Sequence, residues 1–128
     1  MKVYIVGNSV VREDSLPIRL LPKLRRAFPG TTFEEADPND NFVPEEGSVI
    51  IDTVEGITGV TLFESLDAFE QTRSVSPHDY DLLLHLQLLQ KMGKIRTATI
   101  LGVPQTGKKD KILADVIRFL SKCSYAVS

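Results

Sequence analysis

Hydrophobic and polar positions follow two rhythms along this chain. Short apolar runs occupy Lys2 to Val6, Ser48 to Val54 and Arg96 to Val103, while longer stretches place apolar residues every three or four positions. The first rhythm is that of strands buried on both faces, the second that of amphipathic helices. From Leu16, the residues Leu20, Leu21, Leu24, Ala27 and Phe28 keep helical spacing until Pro29-Gly30 stops it. Pro17 fits a first turn capped by Asp14, whereas Pro22 removes an interior hydrogen bond and predicts a kink or a division. Thr31 to Ala36 reads as a shorter strand running into the turn-rich Asp37-Pro38-Asn39-Asp40.

After the central strand at 48–54, Gly56 and Gly59 allow a tight return into Val60 to Glu64, which predicts one antiparallel strand. Ser76-Pro77 opens a helix whose leucines at 82, 83, 84, 86, 88 and 89 span so wide an arc that packing on two sides is expected. Met92-Gly93 ends it. The strand at 96–103 is followed by a helix over 110–120 with Ile112, Leu113, Val116, Phe119 and Leu120 on one face. Strands separated by helices predict an α/β fold: a three-layer α/β/α sandwich around a mostly parallel sheet of about five strands, one of them antiparallel. Residues 1–128 read as a single domain, without repeat, low-complexity tract or linker.

Composition narrows the function. The chain is 42% apolar and 25% charged, with a formal charge of −2 spread without a single-sign block. Nothing in that distribution points to nucleic acid or an anionic membrane. No apolar run reaches the ~18 residues of a membrane span, so no membrane insertion is expected. The lone Cys123 suits a reducing cytoplasm and reads as a small buried hydrophobe.

Three short stretches carry metal-competent side chains just past a strand or at a helix start: Gly7-Asn8 with Glu13-Asp14, Ile50-Ile51-Asp52, and Ser76-Pro77-His78. Parallel sheets bind ligands at the carboxyl ends of their strands, where Asp14, Asp52 and His78 can meet. Each also has an ordinary role. Asp14 suits a helix N-cap. His78 is either a solvated histidine or, at a helix N-terminus, a neutral imidazole free to coordinate. Asp52 is harder to explain structurally, because a carboxylate beside Ile50 and Ile51 is costly to bury unless paired or metal-bound. His85 lies about two turns beyond His78 and reads as structural. Two carboxylates and one imidazole suit a first-row divalent ion and leave its coordination open, unlike a closed structural site.

In this order, Gly7-Asn8, Glu13-Asp14, the Ile-Ile-Asp ending at Asp52, Ser76-Pro77-His78 and Ile100-Leu101-Gly102-Val103-Pro104 resemble the [NiFe]-hydrogenase maturation endopeptidases, over residues 1 to about 104. The resemblance implies an α/β/α sandwich. It also implies a peptidase that removes a C-terminal extension from the nickel-loaded hydrogenase large-subunit precursor, the nickel being supplied by that substrate. Carried over by motif, the nickel-contacting and catalytic residues are Asp14, Asp52 and His78, with Asn8, Glu13 and Asp37 shaping the cleft. The chain departs from the family at Ile5 and Pro17, where glycines are usual, at Asp14, where Glu is frequent, and in its short region after Pro104. The other reading is a catalytically silent metal-binding or assembly module of the same fold. A third motif, Gly102 to Lys108, fits the Gly-x-x-x-x-Gly-Lys skeleton of a phosphate loop. There Lys109 replaces the magnesium-binding hydroxyl and Pro104 removes a donor.

Overall fold

The computed structural model describes residues 1–6, 16–37, 42–72 and 77–127, with backbone alone for 72, 77–81 and 124–127. Its elements run β1 (Lys2–Val6), α1 (Leu16–Ala27), β2 (Thr32–Ala36), β3 (Val49–Val54), β4 (Thr61–Phe63), α2 (Leu66–Thr72), α3 (Pro77–Lys91), β5 (Thr99–Pro104) and α4 (Lys109–Val127). They build one five-stranded sheet in the order β2-β1-β3-β5-β4. The first four strands of that order are parallel and β4 runs antiparallel to β5.

Alternation along the strands sorts the core into two layers. Val3, Ile5, Ile51 and Val103 meet Leu16, Leu20 and Leu24 of α1 and Val116 and Leu120 of α4. Tyr4, Val6, Ile50, Val54 and Ile100 meet Leu66 and Phe69 of α2 and Leu82, Leu83 and Leu86 of α3. With helices on both faces, β3 is buried along its whole length. This is the three-layer α/β/α sandwich that the alternation of strands and helices predicts.

The structure corrects two local expectations, for α1 and α3, and adds detail at β4 and α2. The return after β3 gives the antiparallel strand expected there, and β4 takes the outer edge of the sheet, with β5 inserted between it and β3. Helix α1 is undivided although Pro22 lies inside it, its apolar face being held by the sheet throughout. Leu84, Leu88 and Met92 are 46%, 56% and 56% exposed, so α3 buries one side instead of two. Helix α2 has no counterpart in the sequence reading, although Ser65 caps it by accepting a hydrogen bond from the Ala68 N–H at 3.1 Å.

Candidate functional site

Strand β1 feeds α1 on one face of the sheet, whereas the chain leaving β3 reaches α2 and α3 on the other. Because β1 and β3 are neighbours, their connections part company between them, which makes the carboxyl ends of this strand pair the topological switch point of the sheet, the place where open α/β sheets bind ligands. Ala36, Val6, Asp52, Gly102 and Thr61 form one row across the sheet at this level. Asp52 is the acid of that row, and it is wholly buried.

Asp52 does not end its strand as expected. Thr53 and Val54 continue β3, but Asp52 is level with Val6, the last residue of β1. It shares strand parity with Ile50 and Val54 and so lies on the α2–α3 face. Beside it, Gly102 leaves room for its neighbours: a Cβ there would come within 2.9 Å of Phe63 Cε2 and 3.0 Å of Val54 Cγ2.

Thr53 escaped the sequence reading. It is 2% exposed, opposite Val103, on the face that carries α1 and α4. Its Oγ1 has no hydrogen-bond partner among the described residues. An unsatisfied buried hydroxyl costs about 1–3 kcal/mol, which an isosteric valine would avoid. The available signal was a hydroxyl residue next to the candidate acid in an otherwise aliphatic strand.

The remaining candidates are placed as follows. Asn8, Glu13 and Asp14 lie outside the described residues. His78 is the second residue of α3, on the Asp52 side of the sheet, with its backbone alone described. Asp37 is exposed just past β2. Two strand spacings separate β2 from β3, roughly 10 Å, so Asp37 stands at the same end of the sheet as Asp52 but two strands away. Among the described residues no group of three His, Cys, Asp or Glu side chains could hold a metal ion. Asp52 is the donor these residues bring to the switch point, and an acidic oxygen ligand fits a first-row divalent ion.

His85 is structural, as expected. Its Nε2 lies 2.7 Å from the Phe42 carbonyl oxygen. The Phe42 ring packs between His85 and Tyr4, with centroids 5.3 and 5.5 Å away. The phosphate-loop skeleton has strand and helix on the correct sides, but Gly102 pairs inside β5 with Asp52 and Thr61. Residues 105–108 alone then connect β5 to α4.

No described helix is long and apolar enough to cross a membrane. No family model matches the chain, and no curated protein matches it either. Solved structures do. An uncharacterized protein from Wolinella succinogenes superposes with a TM-score of 0.64 at 14% identity, over 99% of this chain and 98% of that one. The hydrogenase 3 maturation protease superposes with a TM-score of 0.58 at 16% identity, over 95% of this chain and 87% of the other. The chain thus has the fold of the hydrogenase maturation proteases along nearly its whole length.

Proposed function

We propose that this protein is an endopeptidase that removes the C-terminal extension from a nickel-loaded [NiFe]-hydrogenase large-subunit precursor in the cytoplasm. The observation that carries this reading is the position of Asp52. A wholly buried carboxylate stands at the switch point between β1 and β3, in a chain that shares its fold with a hydrogenase maturation protease. Asp14, two residues before α1 in sequence, and His78, the second residue of α3, complete the set that contacts the precursor's nickel. That metal belongs to the substrate, and three protein ligands leave its other positions to the precursor's own side chains. Asn8, Glu13 and Asp37 shape the cleft. A carboxylate of the set serves as the base that takes a proton from the water attacking the scissile carbonyl.

The test is incubation of the full chain with nickel-loaded and nickel-free precursor, read by mass spectrometry. The nickel-loaded precursor should lose its extension and the nickel-free one should not. Binding without any loss of mass would identify a silent assembly module instead.

A further inference from the structure

Folding sorts charges that the sequence spreads out. Helices α1 and α4 touch on the same side of the sheet. Helix α1 carries Arg19, Lys23, Arg25 and Arg26 and no acid. Helix α4 carries Lys109, Lys111, Arg118 and Lys122 against Asp110 and Asp115. All eight cations are exposed. The two helices thus hold a formal charge of +6 in a chain whose total is −2, which leaves −8 on the rest of the molecule.

Little of that positive charge serves the fold. Arg25 donates to the Phe33 carbonyl oxygen at 3.3 Å, Arg118 pairs with Asp115 at 3.3 Å, and Arg118 and Lys122 lie over the Phe119 ring. Arg19, Lys23, Arg26, Lys109 and Lys111 have no ion-pair partner among the described residues. Lys109 and Lys111 also stand in the first turn of α4, where the helix dipole disfavours a cation. On α1, spacings of four and three residues line up Arg19, Lys23 and Arg26 along one side. Unpaired cations gathered on one face repel one another, so the arrangement works against the folded chain and suits something outside it.

The rest of the face narrows what that is. Among the described residues the large apolar side chains exposed to solvent are Val43, Leu84, Leu88 and Met92, none of them on α1 or α4, so the face has nothing to sink into a bilayer. Among the same residues it offers no open aromatic ring for a base to stack on, Phe119 being half-buried beneath Arg118 and Lys122. The acidic remainder of the molecule repels any polyanion longer than the face. A local acidic patch on a folded protein meets none of these objections. The place of the face agrees. Helix α1 leads back to β2, which is parallel to β1, and α4 starts four residues after the carboxyl end of β5. The first turns of both helices, with Arg19, Lys109 and Lys111, therefore lie at the end of the sheet where Asp52 stands.

We propose that the α1–α4 face docks an acidic patch on the surface of the precursor and steers that protein toward the carboxyl end of the sheet. The inference rests on the peptidase reading above.

The test follows cleavage of nickel-loaded precursor at about 50 and about 300 mM NaCl. It compares full-length wild type with Lys109→Glu/Lys111→Glu, with Lys23→Glu/Arg26→Glu, and with Lys91→Glu/Lys94→Glu, which makes the same change of charge away from the face. Each reversal on the face should lose roughly 10-fold in kcat/KM at low salt, through KM, and less than about threefold at high salt, while the control stays within about twofold at both. Thermal melts of the face variants should match wild type. Face variants that behave like the control overturn the proposal, as does a loss that high salt leaves undiminished. A salt-sensitive complex with a short DNA or RNA duplex, abolished by the same reversals, would assign the face to nucleic acid and overturn it too. If wild type leaves the precursor uncut, the peptidase reading falls and docking is read from binding to immobilised precursor. Binding at low salt that both face variants lose then upholds the docking face, whereas equal binding or none overturns it.

Discussion

Gly102 faces Asp52 across the parallel β3–β5 ladder, and the space its missing side chain leaves is occupied by Phe63, Val54 and Ile57. Phe63 and Val54 are 2% and 0% exposed and have nowhere to retreat. Gly102→Ala should therefore overpack this layer and destabilise the fold by about 1–3 kcal/mol. A lower urea midpoint at unchanged slope is the expected result.

Replacing Asp52 by Asn keeps the volume and removes the charge. Processing of the nickel-loaded precursor should fall roughly 10- to 100-fold, while the protein still melts as a folded domain because Asn fills the same buried volume. Gel-resolved cleavage beside a thermal melt of the same sample checks both halves.

His85 should separate stability from activity. Its bond to the Phe42 carbonyl and its stacking on the Phe42 ring fasten residue 42 to α3. His85→Ala should lose about 1–2 kcal/mol of stability. The kcat of precursor processing, measured well below the melting temperature, should stay within about twofold of wild type.

Burial pushes the Cys123 thiol up from its ordinary value, and the Glu64 carboxylate adds to the effect. The thiolate is thus disfavoured in the folded state relative to the unfolded one. A folded value above the unfolded value means that stability present below about pH 8.5 is lost as the pH rises through the folded value. Alkylation by iodoacetamide at pH 8 should accordingly be slower in the native protein than in urea, and Cys123→Ser should flatten the alkaline fall in stability.

Much of the architecture was legible because burial imposes period: the aliphatic runs of β1, β3 and β5 and the stripe of α1 need no long-range information. What depends on the partner of an element was not legible. The glycines after β3 signal a reversal but cannot say that β5, from the far end of the chain, will occupy the place beside β3. The leucines of α3 cannot report that the sheet covers Leu82, Leu83 and Leu86 and leaves Leu84 and Leu88 bare. At the site, Asp52 stood out as an acid in an aliphatic strand. Thr53 did not, since a threonine in a strand is unremarkable until its hydroxyl is seen to lack a partner.

The parting of the chain between β1 and β3 has a consequence for how such a molecule diversifies. The chain after β1 leads to α1 and the chain after β3 leads on to α3, and these helices press on opposite sides of the sheet. Substitutions in α1 and in α3 therefore disturb separate core layers. One layer is free to change its packing while the other stays as it is.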